Sequence, residues 1–337
     1  MANVRVGING FGAIGRRFFR AALQHPDVEV LAVNELGDPK MVAHLLKHDS
    51  NYGTLSGEVT ATEDTIVVDG HPIRVIAERD PAKIPWGSLG VDIVIESTGL
   101  FTDADKARVH ITDGGAKKVI ISAPAEHEDL TVVLGVNEDQ YRSDAHHVIS
   151  NASCTTNCLA PVAKVLDETF GIESGLMTTA HSYTADQRIL DAVHRDYRRA
   201  RAAAENIIPT STGAAKAISR VLPQLQGRMH GLALRVPTPV VSVVDLTFTA
   251  RKPLSSQAIN DAFRQAAAGP LARYLEVSDA PLVSGDFKGN PHSSIVDAPL
   301  TMVMGDSLAK VIAWYDNEWG YSNRLVDLAR FVAARGF

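Results

Sequence analysis

The hydrophobic pattern of the first half of the chain predicts short buried strands separated by helices. Near-continuous apolar runs are typical of parallel strands that are buried on both faces. They occur at 4–8, 28–34, 65–68, 73–76, 91–96, 118–121 and 131–134. Helical patterns follow the first two runs, at 16–23 and 41–48. This alternation predicts an α/β domain built on a parallel sheet.

The second half has a different pattern, in which strands follow one another closely. Strand patterns lie at 175–180, 232–234, 240–248, 294–297, 301–304 and 308–315. Helical patterns lie at 159–166, 217–225, 256–268 and 325–332. The close spacing predicts an antiparallel sheet with helix 256–268 packed on one face. The apolar stripe of the last helical pattern, 325–332, is assigned to the core.

Composition narrows the class of protein. The chain has 337 residues, enough for two domains, of which 45% are hydrophobic and 21% charged. Its net charge of −6 predicts no general attraction to nucleic acid or to an anionic membrane, and no apolar run reaches membrane-spanning length. The sequence enters a predicted strand at Val4, and we expect no signal peptide. The chain has two cysteines, Cys154 and Cys158, and this number predicts no disulfide framework. We therefore expect a cytoplasmic protein.

A glycine motif between the first strand and the first helix predicts a dinucleotide site. Gly10, Gly12 and Gly15 follow the strand in the spacing Gly-x-Gly-x-x-Gly. Glycines in this context permit a tight turn and close approach of the backbone to a pyrophosphate, which the helix N-terminus then faces. The second strand ends at Glu35, 20 residues after Gly15, where a carboxylate is suited to bind an adenosine ribose.

Cys154 is the candidate nucleophile. Ser153, Thr155 and Thr156 surround it at the start of a helical pattern, where hydroxyl side chains satisfy first-turn N–H groups. The positive end of a helix dipole is expected to lower the pKa of the thiol and so to favour the reactive thiolate. The alternative is a small buried cysteine that only packs.

Two further strand ends carry candidate reacting groups. His181 follows the strand at 175–180 and enters a polar loop, a suitable place for a base that faces a cleft. Arg235 follows the strand at 232–234, where it is either a phosphate ligand or half of a structural ion pair. Segment 209–216 supplies hydroxyl and N–H groups before a helix, which makes it a candidate phosphate cradle.

Two polar clusters have a simpler interpretation. The arginine-rich segment 186–201 also contains aspartates, which favours a solvated or subunit-contact loop over a nucleic-acid surface. His44, His48 and Asp49 lie in or beside a helical pattern, where packed or solvated side chains are the simpler assignment. We therefore predict no metal site.

Five segments together resemble the phosphorylating glyceraldehyde-3-phosphate dehydrogenase family, over essentially the whole chain. They are 7–12, 152–158, 198–204, 235–239 and 314–321. The resemblance implies a Rossmann NAD(P)-binding domain over 1–152 and a catalytic α+β domain with a large mixed sheet over 153–317. It also implies a last helix, 318–337, that returns to the first domain, and a homotetramer with the arginine-rich segment in its interior.

The resemblance also implies roles for individual residues. Cys154 would attack the aldehyde of glyceraldehyde 3-phosphate, His181 would take its proton, and inorganic phosphate would cleave the thioester to give 1,3-bisphosphoglycerate. Substrate and inorganic phosphate would be bound by Ser153, Thr155, Thr184, Thr212, Gly213 and Arg235. The coenzyme contacts would be Gly10, Phe11, Gly12, Ala13, Ile14, Asn34, Glu35, Arg79, Ser97, Thr98, Gly99, Ser122, Asn317 and Tyr321.

The chain departs from the family pattern in three places. Ala13 replaces the usual arginine of the glycine turn, and Glu35 replaces the usual aspartate. Ala192 and Val193 stand where strictly NAD-dependent members usually have Leu-Pro. A carboxylate at Glu35 repels a 2′-phosphate and favours NAD, whereas a loosened wall at 192–193 would let that carboxylate turn away. The hypothesis is NAD as coenzyme, with NADP as a second one.

Two other functions compete with this prediction. Erythrose-4-phosphate dehydrogenase shares the segment 151–158, but 182–184 and 211–216 match the glyceraldehyde enzyme and supply its phosphate contacts. A non-catalytic nucleotide-binding scaffold is the second alternative, with the arginine-rich segment as its contact surface. The intact set of Cys154, His181, Arg235 and Asn317 argues against lost catalysis.

Overall fold

The computed structural model describes residues 4–337, except for the side chains of residues 215 and 216. Contacts divide the chain into two compact units. The first contains the residues up to Val132, with Asp139–Ala152 and Ser322–Phe337, and the second contains Val133–Glu138 and Ser153–Tyr321. Every helix in the described range is too short or too polar to span a bilayer.

The first unit is built on a twisted sheet with helices between its strands. In chain order its elements are β1 (Val4–Asn9), α1 (Ala13–Ala22), β2 (Val28–Asn34), α2 (Pro39–Lys47), β3 (His48–Asp49), β4 (Gly53–Thr54), β5 (Val59–Ala61), β6 (Thr65–Val68), β7 (His71–Ile76), β8 (Ile93–Glu96), α3 (Ala104–Ala107), α4 (Val109–Thr112), β9 (Lys118–Ile121), β10 (Leu130–Thr131) and β11 (Val148–Ser150). The strand order is β10-β11-β9-β8-β1-β2-β7-β6-β5, and β3 pairs separately with β4. The seven strands from β10 to β7 are parallel, which confirms the predicted α/β sheet.

Two predictions for this sheet were wrong in detail. β6 and β7 form an antiparallel hairpin, although their apolar runs predicted parallel strands. Asp69 (φ +49°) and Gly70 (φ +82°) connect them, and an Asp-Gly pair with positive φ angles is favoured in two-residue hairpin turns. The strand expected at 131–134 ends at Thr131, because Val133 begins a turn in which its N–H donates to the Asn137 side chain at 2.9 Å.

The second unit contains a larger share of antiparallel pairing. Its elements are α5 (Cys154–Phe170), β12 (Ile172–Ser182), β13 (Ile208–Ser211), α6 (Ala214–Val221), β14 (Met229–Val236), β15 (Ser242–Ala250), α7 (Ser256–Ala267), β16 (Leu275–Ser278), β17 (Ser294–Asp297), β18 (Met302–Met304) and β19 (Leu308–Tyr315). The last helix is α8 (Trp319–Ala334). Its residues up to Tyr321 belong to the second unit, and those from Ser322 onward belong to the first.

The sheet of the second unit is mixed. Its order is β13-β14-β12-β15-β19-β17-β16, with β18 on β19. β12 pairs in parallel with β14, and β16 pairs in parallel with β17. The purely antiparallel sheet predicted from strand spacing was therefore wrong, and the mixed sheet implied by the family resemblance is confirmed. The long connection from β12 to β14 is what permits their parallel pairing.

This topology brings candidate residues together. Because β12 and β14 are parallel neighbours, their carboxyl ends meet at one edge of the sheet, where His181 and Arg235 are register partners. Helix α5 contacts β12, β15, β17 and β19, so it packs against one face of the same sheet. Its first residue, Cys154, thus belongs to the same unit as His181 and Arg235.

Candidate active site

Cys154 is the first residue of α5, as the hydroxyl pattern predicts. Ser153 is the N-cap: its Oγ accepts a hydrogen bond from the Thr156 N–H at 2.9 Å. The Ser153 carbonyl accepts a second bond from the Asn157 N–H at 2.9 Å. These bonds satisfy orphan groups of the first turn and fix the half-buried Cys154 at the helix N-terminus.

Cys154 and His181 form a hydrogen-bonding pair. Cys154 Sγ lies 3.3 Å from His181 Nε2. His181 Nδ1 lies 2.7 Å from the carbonyl oxygen of Ser182, which can only accept, and 3.1 Å from Arg235 NH1, which can only donate. We assign the proton to Nδ1 from the shorter of these two contacts. The other ring nitrogen, Nε2, is then the acceptor that faces the sulfur. The imidazole is oriented to take the thiol proton.

The pKa values of this pair differ from the expectation of a lowered thiol pKa. Burial raises the pKa of Cys154, and the positive charge of Arg235 and the hydrogen bonds of Thr155 oppose this rise. Burial also lowers the pKa of His181 to about 3, and Arg235 adds to that effect. The resting pair is therefore a thiol beside a neutral imidazole, because the loss of water around the sulfur outweighs the helix N-terminus.

Arg235 lies beside the pair with part of its guanidinium uncommitted. Its NH1 group is 3.1 Å from the Ser182 carbonyl and 3.1 Å from the Thr184 hydroxyl, and it donates to both. Its buried Nε has no hydrogen-bond partner among the described residues. Burial lowers the pKa of Arg235, and the charge of Arg199 lowers it further. An unpartnered guanidinium N–H in a cationic pocket fits an anionic ligand such as phosphate.

Arg199 and Asp186 extend this pocket, and sequence analysis missed both. The Asp186 carboxylate accepts the Thr184 hydroxyl with one oxygen and Arg199 NH1 with the other, the latter at 2.6 Å. Arg199 Nε also donates to the Thr210 hydroxyl at 3.0 Å. The mixture of arginines and aspartates indicated only a solvated or contact loop, since spacing does not reveal which arginine folds back toward Arg235.

A third missed residue, Tyr315, lies behind the reacting pair. Its hydroxyl is 2.9 Å from Thr155 Oγ1 and 2.9 Å from Thr179 Oγ1. Burial raises its pKa well above the ordinary value, so it remains a neutral phenol. Thr155, a predicted phosphate ligand, is buried and directs its hydroxyl to Tyr315.

The remaining predicted ligands of the second unit lie in other elements. Gly213 precedes α6 without a side-chain cap, and Thr212 Oγ1 accepts a hydrogen bond from Ala214 N–H at 3.2 Å. Hydrogen bonds among the described residues do not link Thr212 to the Cys154–His181 pair. Asn317 is buried and accepts the Ser242 hydroxyl at 3.0 Å, which fixes its amide orientation.

A cavity of about 360 Å³ in the first unit is lined in part by predicted coenzyme residues, while Phe11, Ala13, Ile14, Gly99 and Ser122 are not among its lining residues. The lining residues are Asn9, Gly10, Gly12, Asn34, Glu35, Leu36, Glu78, Arg79, Pro81, Ser97, Thr98, Leu100 and Phe101. Gly10 has φ +90°, and a Cβ added there would lie 2.7 Å from the Thr98 nitrogen. Gly12 is the N-cap of α1 without a side-chain cap, so first-turn N–H groups are free to face a phosphate. These features fit a dinucleotide.

Glu35 is held in place by two backbone groups. Its Oε2 accepts the Phe11 N–H at 3.2 Å, and its Oε1 accepts the Leu36 N–H at 2.9 Å. The carboxylate therefore presents a fixed negative charge to the cavity.

The other predicted coenzyme residues differ in exposure. Ala13 and Ile14, in the first turn of α1, are half-buried, as is Ser122, whereas Arg79 is exposed. Gly99 follows Thr98 with φ +73°, and Tyr321 is buried in α8.

The polar clusters outside these sites are internally paired. Asp49 forms a buried ion pair with Arg17 at 3.1 Å. Asp103, Asp105 and His127 converge on the surface, but Asp103 caps α3 through the Asp105 N–H and lies 3.1 Å from His127. Hydrogen bonds thus link Asp103 of this cluster to groups of the chain itself.

A glycine turn after a parallel strand and a cysteine–histidine pair on a mixed sheet define a dinucleotide-dependent oxidoreductase. A family model described as the NAD binding domain of glyceraldehyde 3-phosphate dehydrogenase matches residues 4–104. The C-terminal domain model of the same enzyme matches residues 153–317. The chain belongs to the glyceraldehyde-3-phosphate dehydrogenase family, and its cofactor is NAD.

Full-length relatives support this assignment. The chain is 61% identical over 333 residues to glyceraldehyde-3-phosphate dehydrogenase 1 of Bacillus subtilis, with 99% of each chain covered. It is 59% identical over 333 residues to glyceraldehyde-3-phosphate dehydrogenase of Geobacillus stearothermophilus, again with 99% of each covered. It is 60% identical to the chloroplastic glyceraldehyde-3-phosphate dehydrogenase B of Pisum sativum, covering 99% of this chain and 75% of that protein. These similarities favour neither the erythrose enzyme nor a non-catalytic scaffold.

Proposed function

We propose that this chain catalyses the phosphorylating oxidation of glyceraldehyde 3-phosphate to 1,3-bisphosphoglycerate, with Cys154 as nucleophile and His181 as base. The observation that carries this assignment is the 3.3 Å approach of Cys154 Sγ to the acceptor nitrogen of His181. Sγ forms a bond to the aldehyde carbon while the thiol proton moves to Nε2. The aldehyde oxygen then takes this proton from Nε2, which gives a thiohemiacetal on Cys154 and returns His181 to its neutral form.

His181 acts again during the oxidation. Its Nε2, neutral once more, accepts the hydroxyl proton of the thiohemiacetal as the carbonyl re-forms. NAD, when bound, accepts the hydride that this oxidation releases. The product on Cys154 is a thioester. An oxygen of inorganic phosphate attacks its carbonyl carbon, the C–S bond breaks, and the sulfur leaves as a thiolate.

The phosphate groups are assigned to the cationic pocket and its neighbours. Arg235, with its unpartnered Nε, and Thr184 are proposed to bind the substrate phosphate. Ser153, Thr155, Thr212 and Gly213 are proposed to bind inorganic phosphate. We add Arg199, because Asp186 holds its guanidinium in the same cationic pocket.

The first unit is proposed to bind NAD in the cavity described above. Asn317 and Tyr321 also remain proposed coenzyme contacts. The fixed carboxylate of Glu35 supports a preference for NAD, since a 2′-phosphate would meet its negative charge. NADP remains a second coenzyme in this proposal, used with lower kcat/KM. A higher kcat/KM with NADP than with NAD would contradict it.

The test of the main reaction is the initial rate of NAD reduction with glyceraldehyde 3-phosphate, with and without inorganic phosphate. Wild-type activity is expected to require phosphate, and Cys154→Ser is expected to reduce kcat by more than about 10³-fold. Cys158→Ser is the matched control. Burial raises the pKa of the Cys158 thiol to about 12, so it is inert, and its loss is expected to preserve the reaction. Phosphate-independent activity, or full activity in Cys154→Ser, would refute the proposal.

We also propose that the protein is a cytoplasmic homotetramer in which the arginine-rich segment is buried between copies. That segment exposes Ile189 (84%), Leu190 (73%), Val193 (92%) and Tyr197 (91%). Apolar side chains exposed together mark association surfaces. Light scattering after size exclusion is expected to give four times the monomer mass, and a monomer would contradict the proposal.

A further inference from the structure

A buried hydrogen-bond network lies beneath the coenzyme cavity of the first unit. Its centre is Glu96, which is 2% exposed. Glu96 Oε2 accepts hydrogen bonds from Asn9 Nδ2 at 2.6 Å and His110 Nε2 at 3.0 Å. Glu96 Oε1 accepts from the Thr98 N–H at 2.9 Å and from its hydroxyl at 2.5 Å. Four donors therefore converge on one buried carboxyl group, and both of its oxygens accept hydrogen bonds.

The proton on His110 is fixed by Trp86. Trp86 Nε1 lies 3.0 Å from His110 Nδ1. An indole N–H only donates, so Nδ1 must be the acceptor and the ring proton must be on Nε2. His110 is 0% exposed. It is therefore a neutral donor to Glu96, held in one tautomer.

The other side of the network is fixed by a backbone donor. The Glu78 N–H donates to Asn34 Oδ1 at 2.9 Å. Asn34 Nδ2 donates in turn to Asn9 Oδ1 at 2.7 Å, which leaves Asn9 Nδ2 to donate to Glu96. Asn34 Nδ2 also donates to the Glu78 carbonyl at 2.8 Å. The orientations of the two amides are thus assigned, and both sides of the network end on the same carboxylate.

The network reaches the cavity through Thr98. The backbone N–H and the hydroxyl of Thr98 both donate to Glu96 Oε1. Thr98 also lies close to Gly10: a Cβ added to Gly10 would lie 2.7 Å from the Thr98 backbone nitrogen and 2.8 Å from Thr98 Cγ2. Asn9, Asn34 and Thr98 all line the cavity. The orientation of the Glu96 carboxylate therefore determines how the Thr98 wall meets the glycine turn.

We propose that His110 is a positioning residue for the coenzyme. It is fully buried, and its Nε2–H orients Glu96, which holds Thr98 against Gly10. The inference rests on the proposed binding of NAD in this cavity. Loss of the His110 donor is expected to weaken NAD binding while the reacting groups of the second unit keep their arrangement, so kcat at saturating NAD is preserved.

The test measures NAD binding to the full-length chain by titration calorimetry, beside KM and kcat. His110→Phe retains a flat ring but removes both hydrogen bonds, and it is expected to raise the Kd and KM for NAD about tenfold with kcat within about twofold. His110→Gln can restore an N–H donor near the position of Nε2, and its Kd is expected to return close to the wild-type value. Val119→Ala, in the same buried core, is the control for general destabilisation and is expected to leave Kd unchanged.

Three results would overturn the positioning role: wild-type affinity in His110→Phe, equal losses in the Phe and Gln variants, or an equal loss in Val119→Ala. If His110→Phe does not fold, Thr98→Val replaces it as the test, because this change removes one donor to Glu96 at nearly constant shape. Its Kd is expected to rise, and an unchanged Kd would overturn the inference. A wild-type chain that binds NAD without oxidising the aldehyde would contradict the proposed function alone.

Discussion

The positive charge of Arg235 acts on the pKa of both reacting residues in the same direction. Its positive charge lowers the pKa of the Cys154 thiol, which favours the nucleophile, and it also lowers the pKa of the His181 imidazole, which keeps the base unprotonated. The first effect eases release of the thiol proton, whereas the second keeps the imidazole unprotonated at rest and makes it a weaker proton acceptor. The same guanidinium presents an unpartnered Nε.

Replacing Arg235 by Gln is expected to move the pH dependence of thiol alkylation. Without the cation the pKa of Cys154 rises, so the rate of iodoacetamide modification reaches half its maximum at a higher pH than in the wild type. KM for glyceraldehyde 3-phosphate is expected to rise about tenfold or more, since a charge-assisted hydrogen bond contributes roughly 1.5–3 kcal/mol. Arg251→Gln removes an exposed arginine of the same unit and serves as the control. An unchanged or lower alkylation midpoint in Arg235→Gln would contradict this assignment.

The sequence predicts the identity of the reacting residues better than their electrostatics. Hydroxyls around Cys154 indicated a helix start, and the structure confirms it because Ser153 caps α5. The thiol pKa was predicted in the wrong direction, since burial depends on what α5 packs against. Arg199 and Tyr315 were missed for a related reason, since each is defined by a side-chain partner that spacing does not reveal. Asp186 lies 13 residues from Arg199, and Thr155 lies 160 residues from Tyr315.

The pairing register of the strands determines which site residues become neighbours. His181 and Arg235 are neighbours because β12 and β14 run in parallel, a pairing that strand spacing did not predict. The hairpin of β6 and β7 was missed for a different reason, because apolar runs outweighed the Asp69–Gly70 turn signal. The local spacing of apolar residues predicts where a helix or strand lies. Which strands become neighbours in a sheet depends instead on the path of the chain between them.

Helix α7 offers a test of capping without involvement of the proposed site. Ser255 is its N-cap, and its Oγ accepts the Ala258 N–H at 3.1 Å. Ser255→Ala is expected to lower the free energy of unfolding by about 1 kcal/mol, because one first-turn donor loses its partner. The measurement is the shift of the urea unfolding midpoint, with kcat unchanged. Ser256→Ala, one residue into the helix, is the matched control, and equal shifts in both variants would rule out the cap as the cause.

The first unit is assembled from three separate stretches of chain. Ser322–Phe337 belongs to it although more than half of the chain intervenes after Val132. Arg330 Nε donates to the Asp27 carboxylate at 2.8 Å, and the Tyr141 and Phe331 rings meet edge to face at 5.9 Å between centroids. An ion pair and an aromatic contact thus hold the terminal segment to the rest of the unit.

The Asp27–Arg330 pair is expected to make stability depend on pH. Burial alone would raise the pKa of Asp27, but the hydrogen bond and charge of Arg330 outweigh it and hold that pKa below its ordinary value. The contribution is therefore present above the ordinary aspartate pKa of about 3.9. It is lost as the pH falls through the lower folded-state pKa.

Asp27→Asn is therefore expected to unfold at a lower temperature than the wild type at pH 7, with the difference disappearing in acid. Thermal unfolding between pH 2 and pH 7 measures this. Glu29→Gln, an exposed carboxylate on β2, is the control and is expected to shift the midpoint little. A difference that is independent of pH would show that the charge of Asp27 is not responsible.

The place of the terminal segment has a consequence for synthesis on the ribosome. A nascent chain emerges from its amino end, so β1 to β11 are available long before Ser322–Phe337. The nucleotide-binding unit therefore stays incomplete until translation ends, while the second unit has nearly all of its residues. A ribosome stalled before residue 322 should carry a first unit that is readily cut by protease, and only release of the finished chain should protect it.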